Sequence, residues 1–389
     1  MEVLVTVNPS FWRGKRVLVT GHTGFKGSWL TLWLLSMAAE VWGYSLAAEP
    51  SHSLLIDLQL DQASPSNDRG AFHQQLADLC DLNALQKWVA IVQPQVVLHL
   101  AAQPLVRRSY LDPLGTWATN VQGSLNLLEA LKPLKHPCSV VMVTTDKVYA
   151  NQEWNYGYRE EDRLGGHDPY SASKAAAEIA IASWRASFCG TAAHQTPHLA
   201  IATARAGNVI GGGDWAEDRI MPDAMRSLAA GESIPVRRPE ATRPWQHVLE
   251  PLGGYLLLAE KLGAGGEDLA SAFNFGPALE ANQSVQALIE ATLSHWPGSW
   301  RDLSGPDAPH EAGKLHLNID KAHHQLGWRP NWNFATTVER TVGWYRAVHE
   351  GASPLECCLQ DLEAYEGKRV FCITGAQSNV ADSAPAESC

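Results

Sequence analysis

The sequence predicts an α/β fold built on a doubly wound parallel sheet, and two observations lead to this prediction. Short apolar segments alternate with helix-prone segments over residues 1–145, which is typical of parallel strands joined by right-handed crossovers. A glycine-rich turn separates the first apolar segment, 16–20, from a helix candidate at 28–35. Beyond residue 207 the pattern changes to glycine loops and short helices, which predicts a smaller, mainly helical C-terminal lobe.

Length and composition indicate a folded protein of one large or two moderate domains. The chain has 389 residues, of which 45% are hydrophobic and 18% charged, and a formal net charge of −11. This charge argues against general binding to nucleic acid or to anionic membranes. No apolar run reaches the roughly 18 residues of a membrane span, and the N-terminus lacks the features of a signal peptide. Seven cysteines without a Cys-x-x-Cys pair indicate reduced thiols and a cytoplasmic protein.

Strands and helices are predicted from the apolar runs and the residues that flank them. The predicted strands are 17–20, 41–44, 75–79, 96–101, 139–145 and 199–206, with 273–275 returning to the same sheet. The predicted helices are 28–35, capped by Ser28, 120–131 and 170–184. Residues 11–207 are thus expected to form the sheet domain and 208–350 most of the second lobe, with 280–350 largely helical. The polar stretch 368–389 is expected to be a flexible tail.

The glycine turn reads Gly21-His22-Thr23-Gly24-Phe25-Lys26-Gly27. Glycines at this spacing allow a sharp turn and a close approach of the backbone to a pyrophosphate, while the helix N-terminus supplies free N–H groups. A strand, a glycine turn and a helix in this order predict a Rossmann-type dinucleotide site, with a plain glycine turn as the alternative. The prediction assigns to the cofactor Gly21, Gly24, Phe25 and Gly27.

Two further segments contain candidate catalytic residues. Tyr170 and Lys174 are four residues apart in a helix-prone run, so both side chains lie on one helical face. A neighbouring lysine lowers a tyrosine pKa that is ordinarily about 10, and Tyr170 is expected to exchange a proton with an alcohol. Thr145, Asp146 and Lys147 follow a predicted strand, where the hydroxyl can bind a substrate oxygen and the other two groups can move protons at neighbouring carbons. The alternative for Asp146 and Lys147 is a surface salt pair.

Together with His99-Leu100-Ala101-Ala102, these motifs resemble the extended short-chain dehydrogenase/reductase superfamily. Within it, the stretches 101–107, 205–215 and 243–248 resemble the nucleotide-sugar 4,6-dehydratases, and the resemblance covers residues 11–350. Lysine at position 147 is similar to the branch that acts on CDP-glucose, since the dTDP-glucose branch typically has glutamate after the aspartate.

The resemblance implies an NAD-dependent lyase that oxidises C4 of a bound hexose, eliminates water across C5 and C6, and reduces C6. It implies that Tyr170 takes the C4 hydroxyl proton, Thr145 holds the C4 oxygen and Lys174 holds the nicotinamide ribose. Asp146 is expected to protonate the departing C6 hydroxyl. Lys147 either removes the C5 proton, which requires a lowered lysine pKa, or stabilises the enolate at C4.

The remaining cofactor contacts also come from the resemblance, which assigns Asp78 and Leu79 to the adenine and Ala101 and Ala102 to the cofactor. The alternative for Asp78 is a loop cap. The second strand is followed by Ser45 instead of the acidic residue that commonly binds a ribose 2′-hydroxyl, and no arginine stands there for a 2′-phosphate. NAD is therefore preferred over NADP on family grounds.

The expected partner is a small sugar nucleotide. The resemblance assigns to it Asn208, Arg219 and Arg243, and an arginine fork suits a diphosphate because it can pair two oxygens at once. Arg107 and Arg108 are equally good further candidates. No residue is assigned to a metal, and the resemblance implies a homo-oligomer, specifically a dimer.

Three other functions are compatible with parts of the pattern. They are a nucleotide-sugar 4-epimerase, a dehydratase of another nucleoside diphosphate sugar, and a non-catalytic nucleotide-binding module. An epimerase has no use for Asp146 and Lys147, and a binding module has no use for Tyr170 and Lys174.

Overall fold

The protein is described here by a computed structural model, which covers residues 6–48, 53–60, 70–189, 196, 198–304 and 314–367. The stretch 368–389, predicted as a flexible tail, lies outside the described residues. Within them the strands are β1 Arg16–Thr20, β2 Glu40–Ser45, β3 Phe72–Leu76, β4 Val96–His99, β5 Cys138–Val143, β6 Leu199–Ala206, β7 Val209–Ile210, β8 Ile234–Val236, β9 Thr242–Pro244, β10 Gln246–His247, β11 Ala272–Phe275, β12 Asn282–Ser284 and β13 Trp300–Asp302.

Seven of these strands form a parallel sheet in the order β11-β6-β5-β4-β1-β2-β3, which confirms the predicted fold class. The direction of winding reverses between β1 and β4. In open α/β sheets, ligands bind beyond the carboxyl ends of the strands at such a switch point. The other strands form three two-stranded pairs, β10-β7, β12-β9 and β13-β8.

Helices cover both faces of the sheet. The α-helices are α1 Pro9–Trp12, α2 Phe25–Ser36, α3 Leu54–Asp57, α4 Leu82–Val92, α5 Val106–Leu111, α6 Pro113–Trp117, α7 Gly123–Leu131, α8 Pro169–Phe188, α9 Ile220–Ala229, α10 Leu249–Gly263, α11 Val285–His295, α12 Phe334–His349 and α13 Pro354–Glu366. Short 3₁₀ turns cover Asp146–Val148, Glu267–Leu269 and Leu279–Ala281, and π-helical turns cover Ala118–Gln122 and Ala322–Leu326.

The sheet divides the apolar core into two clusters. Val17 and Val19 of β1 belong to one cluster and Leu18 to the other, because successive side chains of a strand point to opposite faces. Both faces of β1 are therefore buried, as its continuous apolar run predicts. Apolar residues of α12 and α13 belong to the same cluster as Val17, so the C-terminal segments share the core of the sheet.

Two sequence predictions about element boundaries are wrong. The strand expected at 75–79 is β3, Phe72–Leu76, whose register pairs Val41 with Phe72. This edge strand is mostly polar, so the apolar pattern does not reveal its start. The first long helix begins at Phe25 with Gly24 as its N-cap, and Ser28 instead donates its hydroxyl to the Gly24 carbonyl at 2.9 Å.

Other boundaries move by a few residues. The predicted helix 120–131 begins within the π-helical turn and becomes α-helical at α7. The predicted strands 96–101 and 139–145 end at His99 and Val143. Their last residues thereby become loop residues at the carboxyl edge of the sheet, where the predicted site lies. The segment 280–350 is helical in α11 and α12 and also contains β12 and β13.

Candidate active site

The glycine turn between β1 and α2 is sterically closed to side chains. Gly21 has φ +74°, and a Cβ placed on it would lie 2.7 Å from the Ala101 nitrogen. A Cβ on Gly27 would lie 2.1 Å from the Gly21 carbonyl oxygen. No described side chain caps α2 at Gly24, so the N–H groups of its first turn remain available to an anion. The cradle fits the pyrophosphate of a dinucleotide.

The carboxyl ends of β1 and β4 are joined at the switch point. The Thr20 hydroxyl lies 2.7 Å from His99 Nδ1 and accepts the Ala101 N–H at 3.3 Å. These bonds hold the backbone of Ala101 and Ala102 against Gly21. The predicted cofactor residues from two distant parts of the sequence therefore meet at one edge of the sheet.

Asp78 and Leu79 follow the carboxyl end of β3. The Asp78 carboxylate accepts the Cys80 N–H at 2.8 Å, and its carbonyl accepts the Tyr44 hydroxyl at 2.9 Å. Leu79 is buried against Gly123. The Asp78 carboxylate thus acts as a loop cap in this structure, and the adenine contact stays a prediction.

Thr145, Asp146 and Lys147 form a tight turn directly after β5. Thr145 is extended and caps the 3₁₀ turn, accepting the Lys147 N–H at 3.4 Å and donating its hydroxyl to Asp146 Oδ1 at 3.0 Å. Thr145 and Asp146 are buried, and Lys147 is half-buried. The Thr145 hydroxyl lowers the pKa of Tyr170, so the strand end lies close to the start of α8.

The start of α8 places Tyr170 and Lys174. Asp168 and Ser171 form a capping box, and Pro169 occupies the first helical position. Tyr170 follows in the first turn and Lys174 lies one turn later, both buried. The turn after β5 and the start of α8 therefore bring together all five residues predicted to be catalytic.

The pKa of Tyr170 differs from the sequence prediction. Burial raises it to about 12, while the nearby Thr145 hydroxyl and the charge of Arg219 oppose this rise. Lys174, which was expected to lower the Tyr170 pKa, donates its ammonium to the Val143 carbonyl at 3.4 Å instead. The predicted lowering of the Tyr170 pKa is therefore wrong for this structure, because burial outweighs the groups that favour the phenolate.

Lys174 and Asp146 are also shifted by burial. Burial lowers the pKa of Lys174 to about 8, and the carboxylate of Glu178 opposes this shift. Burial raises the pKa of Asp146, and Lys147, Thr145, Arg243 and Lys26 act in the opposite direction. A buried carboxyl with a raised pKa holds its proton to higher pH than an exposed one, which suits a general acid.

Two of the predicted phosphate-binding residues, Arg219 and Arg243, act electrostatically on the predicted catalytic residues. Arg219 pairs with Asp214 at 2.8 Å and acts on the pKa of Tyr170, so it lies near the tyrosine. Arg243 lies in β9 and donates to the Thr242 carbonyl at 2.8 Å. Its positive charge acts to lower the pKa of Asp146. Asn208 lies between β6 and β7, at the carboxyl end of β6. Sequence reasoning did not anticipate the pairing of Arg219 with Asp214.

Lys26 is the charged residue that sequence reasoning missed. It lies in the first turn of α2, and burial together with the charge of Arg219 lowers its pKa to about 8. Its ammonium donates to the Tyr255 hydroxyl at 3.5 Å, and its charge acts on Asp146. A lysine inside a glycine turn that opens an apolar helix is the sequence signal that was available.

The parallel sheet, the glycine cradle and the Thr/Tyr/Lys arrangement define a dinucleotide-dependent enzyme of the extended short-chain dehydrogenase/reductase type. The model of the GDP-mannose 4,6 dehydratase family matches residues 18–341. The chain therefore belongs to this family.

Individual relatives agree with this assignment. The chain is 43% identical over 361 residues to the CDP-glucose 4,6-dehydratase of Salmonella typhimurium, covering 92% of this chain and 98% of that protein. It is 27% identical over 352 residues to the dTDP-glucose 4,6-dehydratase of Haemophilus influenzae, covering 85% and 97%. The structure of a dTDP-glucose 4,6-dehydratase double mutant from Streptomyces venezuelae with NAD bound superimposes with a TM-score of 0.71 at 24% identity, covering 87% of this chain and 99% of that one.

The described residues contain no candidate membrane span and no metal-binding cluster. None of the helices within the described ranges has the length and apolarity to cross a membrane. Those ranges also contain no group of three or more His, Cys, Asp or Glu side chains arranged to hold a metal ion.

Proposed function

We propose that this protein converts CDP-D-glucose to CDP-4-keto-6-deoxy-D-glucose and water. The observation that carries the proposal is the buried Asp146 carboxyl beside Thr145 and Tyr170, with a pKa raised by burial. Elimination of a sugar hydroxyl needs such an acid, whereas a 4-epimerase on the same scaffold does not. The nucleotide follows from the Salmonella relative, which is named for CDP-glucose.

The cofactor is NAD. Its pyrophosphate fits the cradle of Gly21, Gly24 and Gly27 at the start of α2, and Phe25 opens this helix. NAD supplies a hydride acceptor for the C4 oxidation and a hydride donor for the C6 reduction, and is regenerated in each turnover. At the end of β2 the Ser45 hydroxyl lies 2.7 Å from the Thr23 hydroxyl. Hydroxyl groups at this position suit a ribose better than a ribose phosphate. Asp78, Leu79, Ala101 and Ala102 complete the binding residues.

Tyr170 and Thr145 act on the C4 hydroxyl. Thr145 holds the C4 oxygen, and Tyr170 accepts its proton while C4 is oxidised. Because burial raises the Tyr170 pKa to about 12, the phenolate needs cations nearby to form, and Arg219 is one of them. Lys174, one helical turn away, holds the nicotinamide ribose.

Asp146 and Lys147 act on C5 and C6. The 4-ketone acidifies the C5 hydrogen, and Asp146 gives its proton to the departing C6 hydroxyl. Lys147 either removes the C5 proton or stabilises the enolate at the C4 oxygen. Arg219, Arg243 and Asn208 hold the substrate diphosphate, so the 208–350 segment supplies most of the substrate-binding lobe.

The proposed cellular form is a cytoplasmic homodimer. Cys80, Cys138, Cys189, Cys357 and Cys358 are all unpaired, which fits a reducing compartment. On α5 and α6, Leu111 and Leu114 are 87% and 81% exposed, and Ile179 on α8 is 60% exposed. Apolar side chains exposed on helices in this way favour pairing with a second copy.

The test is to incubate the purified protein with CDP-, dTDP-, UDP- and GDP-glucose and to measure the 4-keto-6-deoxy product by its absorbance in alkali. We expect product from CDP-glucose first and fastest. An epimerised sugar with no water lost, or bound NAD without turnover of any of the four, would contradict the proposal.

A further inference from the structure

An open cavity beside Arg219 is not used by the reaction described above. It has a volume of about 460 Å³, within the range of ligand sites. It is formed by the loop before α9, by α9 and by β8, with a lining that includes Glu217, Asp218, Asp223, Arg226, Pro235 and Arg237. None of the five residues proposed as catalytic lines it. Asp218, which lines the cavity, directly precedes Arg219 in the chain, so their Cα atoms lie about 3.8 Å apart.

One arginine in the cavity is held in place by an ion-pair chain. Arg237 donates from Nη2 to Asp218 Oδ1 at 2.9 Å, and Arg107 Nη1 lies 3.1 Å from the same oxygen. A guanidinium has five N–H donors in a rigid fork. The Asp218 bond uses one of them, so it orients the Arg237 fork while other donors remain for a ligand.

The acidic residues of the cavity are not equivalent. Asp223 pairs with Arg226, and Asp218 pairs with Arg107 and Arg237. Within the described part of the chain, no hydrogen bond or ion pair involves the exposed Glu217 carboxylate. The cavity therefore offers an oriented group of donors on Arg237 and a carboxylate acceptor on Glu217.

We propose that Arg237 and Glu217 recognise the cytosine of the substrate, an inference that rests on the proposed function. Cytosine presents two acceptors, O2 and N3, next to a donor, the N4 amino group. A guanidinium fork can donate to O2 and N3 together, and a carboxylate accepts from the N4 amino group. Uracil and thymine carry an N3–H donor and an O4 acceptor instead. The Arg237 donors would then face the N3–H donor, and the Glu217 carboxylate would face the O4 acceptor. Both arrangements disfavour binding of these bases.

The test compares CDP with UDP on the NAD-loaded protein by titration calorimetry, together with kcat/KM for the two glucose conjugates. Arg237→Ala is expected to weaken CDP binding by about 10- to 100-fold, as for the loss of hydrogen bonds to a charged group. UDP binding should change by less than about threefold, because it gains little from Arg237. Glu217→Gln is expected to weaken CDP and to strengthen UDP, since the amide can donate to O4.

One matched variant acts as a control. Arg301→Ala removes an exposed arginine on β13, the strand paired with β8 but outside the cavity, and should change neither affinity.

Wild-type turnover of CDP-glucose combined with an unchanged CDP-to-UDP ratio in both Arg237→Ala and Glu217→Gln overturns this inference and leaves the proposed function standing. Absence of CDP-glucose turnover in the wild type would contradict both this inference and the proposed function. If Arg237→Ala does not fold, Arg237→Lys decides together with Glu217→Gln, because lysine keeps the charge and loses the fork.

Discussion

Asp146 combines burial with four groups that oppose its raised pKa, and this balance determines when it can act as an acid. Burial favours the neutral carboxyl, whereas Lys147, Thr145, Arg243 and Lys26 favour the carboxylate. The net effect is a raised pKa. An acid of this kind loses activity as the pH rises through its own pKa, since only the protonated form can donate to the C6 hydroxyl.

Asp146→Asn should therefore separate the steps of the reaction. The amide keeps the shape of the carboxyl and cannot donate a proton, so elimination should slow by about 10²- to 10⁴-fold. C4 oxidation should continue, and the absorbance of reduced nicotinamide should appear on mixing with CDP-glucose. Equal loss of oxidation and elimination in stopped-flow measurements would contradict the proposed role.

The same variant has a consequence for stability. The folded-state pKa of Asp146 is raised, so the folded protein binds more protons than the unfolded chain between the two pKa values. The free energy of unfolding should fall as the pH rises through this interval. Asp146→Asn should lose less stability over that interval than the wild type in paired urea titrations.

Substitutions of Lys147 can distinguish a general base that removes the C5 proton from a positive charge that stabilises the enolate. Lys147→Ala should stall elimination while leaving C4 oxidation partly intact. Lys147→Arg keeps the positive charge but cannot accept a proton, because its guanidinium stays protonated. Rescue of elimination by arginine would indicate stabilisation of the enolate, and no rescue would indicate removal of the C5 proton. Equal loss of both steps in Lys147→Ala argues against a dedicated role at C5, and Lys87→Ala on α4 is the surface control.

At the scale of elements, the start of α8 connects helix capping to catalysis. Asp168 accepts the Ser171 N–H at 3.0 Å, and Tyr170 lies between these two residues. Asp81 caps α4 in the same way by accepting the Ala84 N–H at 3.0 Å. The two caps are similar in chemistry, and only that of α8 lies next to residues proposed to be catalytic.

Asp168→Ala and Asp81→Ala should each cost about 1 kcal/mol of folding free energy, the usual value of an N-cap. Asp168→Ala should in addition lower kcat, since fraying of the first turn displaces the Tyr170 hydroxyl from Thr145. Urea unfolding and steady-state kinetics on both variants test this. An equal effect of the two substitutions on kcat would show that the α8 cap has no role in positioning.

Local motifs were easier to predict than the electrostatics that act on them. Gly21 and Gly27 are recognisable because close backbone approaches exclude any side chain, and Tyr170 and Lys174 because helical geometry sets their spacing. The sequence did not reveal where Lys174 points, since that depends on the Val143 carbonyl of a separate strand. For the same reason the pairing of Arg219 with Asp214 was not predicted. The edge strand β3 was predicted with the wrong boundaries because it is mostly polar.

At the scale of the whole molecule, a buried polar network links β6 and β11 of the sheet to α8 and to the residue after the 3₁₀ turn Asp146–Val148. Arg205 of β6 pairs with Glu178 of α8 at 2.9 Å and donates to the Tyr149 hydroxyl at 2.9 Å. Tyr149 in turn donates to Asn274 of β11 at 2.7 Å. Glu178 also accepts the hydroxyl of Thr144, next to Thr145. Because every partner is buried, the network holds the strand end and α8 in one fixed arrangement.

The proposed dimer is expected to form on the helices beside α8. The helices α6 and α7, with the π-helical turn between them, run without a break from residue 113 to 131 beside α8. Leu114, at the start of this run, is 81% exposed. Such an exposed apolar side chain would be covered in a dimer built on these helices.

Leu114→Asp should therefore shift the protein toward monomer, because a carboxylate buried in an apolar interface loses its hydration without gaining a partner. Sedimentation velocity over a range of concentrations should show the mass of two chains for the wild type and of one chain for the variant. Ile91→Asp is the matched control, since Ile91 on α4 is 64% exposed. An unchanged mass for Leu114→Asp would place the interface elsewhere, and the same dissociation by Ile91→Asp would mean that added charge alone separates the copies.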